Sequence, residues 1–180
     1  MNLSFVRRGT KGGFTLIELL VVIAIIGVLS SIVLASLNSA RRKSRDARRI
    51  TDIKQIQLAL ELYFDSQTPT PGYPDADTGA AACTATLAYG LEDLAPNYIP
   101  QVPRDPQGGC YLYATPTGSG VQASYHLAAT LEDATNSALV GDRDCDSGIA
   151  DGCGTVAYTG GFDGGVTVPD STNRRYDVTP

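Results

Sequence analysis

A single histidine, His126, serves all 180 residues, and that scarcity removes whole classes of chemistry. One imidazole makes no zinc-ligand spacing, and no serine or cysteine stands in a recognisable nucleophile–base set. No glycine-rich phosphate loop opens a helix, and no nucleic-acid-binding motif is recognisable. His126 sits in a strand pattern, Ser124-Tyr125-His126-Leu127, and is expected on its polar face. Glu132-Asp133 is an adjacent acid pair, read as a strand-end turn rather than a catalytic dyad. An enzyme has little to stand on.

Other scarcities are regional. The first 54 residues hold three acids (Glu18, Asp46, Asp52) against ten Lys/Arg, whereas the remainder holds four bases against sixteen acids. Such asymmetry predicts a membrane or nucleic-acid contact at one end and a solvated acidic domain at the other. All four cysteines, Cys83, Cys110, Cys145 and Cys153, lie in the chain after residue 82. An even count behind a membrane segment predicts disulfides and an oxidising, extracytoplasmic compartment. Three connectivities are open; two local loops, Cys83–Cys110 and Cys145–Cys153, are preferred over the others.

Residues 1–13, MNLSFVRRGTKGG, are short and basic. Residues 19–29, LLVVIAIIGVL, then carry no polar side chain, and the span Phe14 to Leu37 carries one charge. At 1.5 Å per residue those 24 residues reach about 36 Å, enough for a hydrocarbon core of about 30 Å. The charge, Glu18, is out of place in a simple anchor, because a membrane carboxylate is expensive. It fits if it meets a cation. A cut between Gly13 and Phe14 would create one: the new ammonium group of Phe14, one turn from Glu18 of its own chain or reachable by that of a neighbour. A secretory signal peptide accounts poorly for this segment, since its apolar core is shorter and lacks an acid.

The stretch Gly13-Phe14-Thr15-Leu16-Ile17-Glu18-Leu19-Leu20-Val21-Val22-Ile23-Ala24-Ile25-Ile26-Gly27 resembles the cleavage and methylation motif of type IV pilins and type II secretion pseudopilins. The resemblance implies that a prepilin peptidase cuts after Gly13 and methylates the Phe14 amine. It implies that Glu18 sets register between subunits of a helical filament. It implies further partners: an inner-membrane assembly platform with its ATPase, minor pilins and membrane lipid. Family helices often carry Pro where this chain has Ala35. The stretch Leu94…Tyr98-Ile99-Pro100…Val102-Pro103-Arg104-Asp105-Pro106…Tyr111-Leu112-Tyr113 resembles the major pseudopilin and its near relatives.

From Ala40 to Asp65 there is neither Gly nor Pro, and Ile50, Ile53, Ile56, Leu60 and Phe64 recur at spacings of three and four. Arg49, Asp52, Gln55 and Glu61 fall largely outside that stripe. One helix is therefore expected over about 14–65, closed by the proline-rich Thr68–Pro74 stretch. Beyond it, Leu87, Leu91 and Leu94 suggest a short helix. Strands are expected at Cys110–Ala114 and within Val121–Thr130, with a third at Thr155–Tyr158 or Val166–Val168. The tail from Thr159, rich in Gly, Asp, Thr and Pro, is expected to be partly disordered.

The fold class expected is α+β, pilin-like: a long N-terminal helix packed on a small antiparallel sheet. Its organisation is a leader at 1–13, a helix at 14–65 that spans the membrane over about 14–37, and a head at 66–180. The chain is expected to cross the cytoplasmic membrane once with its head outside, and then to enter a periplasmic or cell-surface filament. Lys/Arg counting alone, with three bases before the span and six in 41–49, would put the head inside; cysteines and resemblance place it outside. No cofactor is required. A calcium site is an option at Asp142, Asp144, Asp146 and Asp151, because carboxylates at alternate positions of a tight loop can converge on a hard cation. The bland alternative is an acidic solvated loop. The rival reading of the whole chain is a membrane-tethered binding module that does not polymerise.

Overall fold

The computed structural model describes residues 13–76, 90–116, 122–149, 153, 158–159, 161–162, 164 and 174–180. The chain divides into two units, Met1–Ala40 and Arg41–Pro180.

One helix, α1 (Leu16–Ser66), crosses the boundary in sequence. It continues unbroken through Ala35, as expected where no proline removes a donor. In the first unit every described side chain is exposed, from Phe14 to Ala40. This is the one described helix long and apolar enough to cross a membrane, and none of its most apolar window is buried.

The second unit has its own core. Four strands, β1 (Leu112–Pro116), β2 (His126–Thr130), β3 (Tyr158–Thr159) and β4 (Arg175–Val178), form a sheet in the order β3-β1-β2-β4. Every pairing is antiparallel, with Leu112 opposite Ala128 and Ala128 opposite Asp177. The α+β architecture is the one expected. The second half of α1 lays Ile53, Ile56 and Leu60, all fully buried, into a cluster with Leu91, Leu94, Tyr113, Tyr125 and Leu127. Each such aliphatic side chain stabilises the head by about 1.5–3 kcal/mol.

Strand alternation assigns the two faces. Tyr125, Leu127 and Ala129 belong to the cluster that holds α1, and Tyr176 and Val178 of β4 pack against it. His126, Ala128 and Asp177 take the opposite face, and all three have no exposed surface. That face is covered as well: Phe162 stacks on the His126 ring at 4.0 Å, and the segment around Cys145 and Ser147 is buried with it. His126 is therefore not on a solvated face, contrary to expectation, because the late loop folds over the sheet.

Of the tail expected to be partly disordered, the end forms β4, and residues 165–173 lie outside the described residues. Val166–Val168 lies outside the described residues, and Tyr158–Thr159 supplies the third strand. The expected short helix reduces to a 3-10 turn at Glu92–Leu94, with Leu87 outside the described residues. Gly90 precedes it at φ +90°, where a side chain would also strike the Asp75 carbonyl.

Candidate functional site

Three polar constellations carry the chemistry. The first opens α1. Thr15 donates its amide to Glu18 Oε2 at 2.9 Å and its hydroxyl to the same oxygen at 2.7 Å, and Glu18 donates its amide back to Thr15 Oγ1 at 3.3 Å. This is a capping box, in which Thr and Glu three residues apart satisfy orphan helix donors reciprocally. Thr15-x-x-Glu18 was a legible signal for it. Glu18 thus has a local partner in the uncut chain, before any Phe14 ammonium group exists. Gly13 and Phe14 both lie exposed ahead of the cap.

The second constellation joins the helix to the head within the second unit. Traced backwards from Leu60, Ile56 and Ile53 at steps of three and four, the buried stripe continues to Arg49 and Asp46, not to Ile50. The stripe is apolar at one end and ionic at the other. Arg49, 1% exposed, donates to Asp46 Oδ1 at 2.7 Å, to Glu132 Oε1 at 2.9 Å and to Gln107 Oε1 at 2.9 Å, and its guanidinium pairs with both oxygens of Asp105. Arg45 grips Glu132 with two bonds of 2.6 Å, a bidentate fork. Asp46 also accepts the amides of Glu132 and Asp133 at 2.9 and 3.0 Å. A neighbouring buried pair is Tyr111, which donates to Asp52 at 2.6 Å. The proline-flanked Asp105 of the Pro-Arg-Asp-Pro stretch is therefore an anchor for the helix, and Glu132-Asp133 is a turn whose Glu132 ion-pairs with the helix and whose two amides bind Asp46.

These contacts set the local electrostatics. The Arg45 fork, opposed by partial burial and helped by Arg49, holds the Glu132 carboxyl down to about 2. Burial works against the charge of Asp105, yet the Arg49 bonds and the Gln107 amide keep its pKa below the ordinary value. Burial, then the Asp52 bond, push the Tyr111 hydroxyl well up.

The third constellation is the acidic loop. Cys145 and Cys153 are disulfide-bonded across eight residues, with Cα atoms 5.0 Å apart. Cys110 is also disulfide-bonded, and Cys83 lies outside the described residues. His126 Nε2 meets Asp177 Oδ2 at 2.6 Å, and its Nδ1 meets Ser147 Oγ at 2.7 Å. The order Ser–His–Asp is that of a nucleophilic triad. All three are fully buried, however, and Ser147 Oγ already accepts the Phe162 amide at 3.0 Å. The trio clamps the loop to the sheet. The sequence reasoning missed it, because Ser147 and Asp177 lie far from His126 in the chain.

Carboxylate oxygens of Asp142, Asp144 and Asp177 lie within 4.8 Å of one another. Two of these belong to the expected calcium set. Asp146 instead folds locally, accepting the Gly148 amide at 2.7 Å, and Asp151 lies outside the described residues. Asp177 is engaged as well, accepting the Asp144 amide at 3.0 Å. An all-oxygen donor set suits a hard cation. The nearby trio His126, Cys145 and Cys153 offers no comparable set, since both sulfurs are in the disulfide.

Residues 8–34 match a family model described as the prokaryotic N-terminal methylation motif. Curated relatives named type II secretion system core protein G match over stretches longer than that motif. The one from Vibrio cholerae is 32% identical over 120 residues, covering 65% of this chain and 80% of that protein. The one from Escherichia coli K12 is 33% identical over 126 residues, covering 67% and 81%. The one from Pseudomonas aeruginosa is 29% identical over 143 residues, covering 77% and 99%. No solved structure matches.

Proposed function

Because the chain belongs to the type II secretion system core protein G family, we propose that it is the major structural subunit of a type II secretion pseudopilus, a type IV pilin-like filament. The observation that carries this reading is the first half of α1, whose 22 residues from Leu16 to Leu37 are membrane-spanning in character and have every described side chain exposed. Lipid covers it before assembly, and copies of the same helix cover it afterwards.

In this reading a prepilin peptidase cuts between Gly13 and Phe14 and methylates the new amine. The chain then crosses the cytoplasmic membrane once, over about 14–37, with residues 66–180 as an extracytoplasmic head. An assembly platform with its ATPase extracts it, and minor pilins start the filament in the periplasm. Glu18 passes from its own Thr15 cap to the Phe14 ammonium group of a neighbour, and a misplaced subunit is rejected because its carboxylate stays unpaired. No catalytic role is assigned: Ser147 is buried and its hydroxyl committed.

Calcium at Asp142, Asp144 and Asp177 would brace the acidic loop, by the all-oxygen donor set. Titrating the chelated protein with calcium should raise the melting temperature, and D142N/D144N should abolish the rise. An unchanged melting temperature in the starting protein discards the site.

The test of the main reading is the N-terminal mass of protein from its native membrane. A chain that starts at Phe14 with one added methyl group is expected. A chain that starts at Met1 or Asn2 would instead favour a tethered module that does not polymerise.

A further inference from the structure

The run of bases after the apolar span looks uniform in sequence, yet the structure divides it. Arg45 and Arg49 are tied to Glu132, Asp46 and Asp105. Arg41, Arg42 and Lys43 are exposed, and among the described residues none of the three forms an ion pair. Asp133 feels the positive charge of Lys43 and Arg42, but its carboxylate is held by Thr135, whose hydroxyl and amide donate at 2.7 and 2.9 Å.

We propose that Arg41, Arg42 and Lys43 dock on anionic phospholipid headgroups and fix the depth of the subunit before it enters a filament. The inference rests on the reading that residues 14–37 span the membrane. Two observations favour lipid over an acidic face of a second copy. The three bases begin four residues beyond Leu37, about 6–9 Å of helical rise, which matches the headgroup layer outside the hydrocarbon core. Three consecutive helical residues also fan over about 200° of the helix. A layer that surrounds the helix can meet all three charges, whereas one rigid protein face meets one or two.

The full chain, with Arg7, Arg8 and Lys11 replaced by serine in every sample so that the bases before the span do not contribute, is reconstituted in phosphatidylcholine bilayers containing a trace of spin-labelled phosphatidylglycerol or spin-labelled phosphatidylcholine. Electron spin resonance reads the fraction of each label immobilised at the protein. A base near an anionic surface gains about fivefold in association, so even averaged over the whole lipid shell the preference for phosphatidylglycerol should be about twofold or more. It should vanish in R41S/R42S/K43S and in about 1 M salt, where the screening length is about 3 Å. Lys54→Ser, an exposed base farther along α1, should leave it intact. No immobilised component with either label means that the chain does not insert, and both readings fall. Immobilised lipid without a preference, or a preference that survives the triple substitution, overturns the proposal and leaves the anchor standing. Equal lipid preference together with loss of chemical cross-links between copies in the triple variant overturns it in favour of the acidic head of a second copy.

Discussion

From Leu16 to Ala40 helix α1 buries nothing, whereas from Arg41 to Ser66 it buries seven side chains, three of them charged: Asp46, Arg49 and Asp52. The first half exposes apolar groups, and the second buries charges beside apolar residues, both against the usual rule that apolar groups go inside and charges outside. The contrast teaches where each half finds its partners. The apolar half has no described side chain buried, and in the proposed function lipid or other copies supply its partner. The charged half has its counter-ions within its own chain, on segments at Asp105 and Glu132. Polymerisation and head integrity are thus separable properties of adjacent stretches, and substitutions should separate them.

The sharpest break is at Glu18. Glu18→Ala should leave the head folded and the leader cut, yet lose most of the filament, as measured by the yield of sheared filaments against total processed protein. Normal yield would remove Glu18 from the register mechanism. Thr15→Ala sharpens the same point, because it removes the cap without removing the charge.

The next break lies in the charged half. Arg49→Ala strands Asp46, which has no exposed surface, beside Asp105 and Glu132. Loss of one partner from a buried ion cluster costs roughly 3–5 kcal/mol. Chemical denaturation of the full chain in detergent should show it, and a change below 1 kcal/mol would mean that the network contributes little.

A smaller effect is expected at the far side of the sheet. Replacing Cys145 and Cys153 by serine frees a short loop, worth about 2–3 kcal/mol by chain entropy. Melting of the head should fall accordingly, with no change in leader processing.

The smallest effect is a pH dependence. Glu132 has a folded value of about 2 against an ordinary 4.5. A depressed acid contributes stability that is fully present above about pH 4.5 and is lost as pH falls toward 2. Glu132→Gln should cost about 1 kcal/mol at neutral pH and should flatten the stability profile between pH 4.5 and 2. A profile that keeps its slope would assign the acid sensitivity to other carboxylates.

Much of the molecule was legible in sequence because it rests on local pattern. Twenty-four residues of near-continuous apolarity, the Gly13-Phe14 junction and Glu18 need no tertiary contact to be read. So does the helix, since the absence of Gly and Pro and a spacing of three and four act within single turns. The Thr15–Glu18 cap was equally local and was passed over. What periodicity misread was the stripe itself. Hydrophobicity chose Ile50 as its next member, while geometry chose Arg49, because burial follows position on the helix and a charge can occupy such a position when counter-ions arrive from elsewhere.

The sequence by itself determined the class of protein and the membrane-length helix, and it set the expectations of a cut after Gly13 and of an antiparallel head. Only the tertiary structure decided which bases are spent inside the head and which remain outside. It also decided that His126 is a buried clamp to Ser147 and Asp177, and that Asp177 rather than Asp146 joins Asp142 and Asp144. The physical reason is the same in each case. These groups are brought together by strand register and loop closure across a separation of 51 residues for His126 and Asp177 and 83 for Arg49 and Glu132, and no periodicity within one element reports on a partner at that separation.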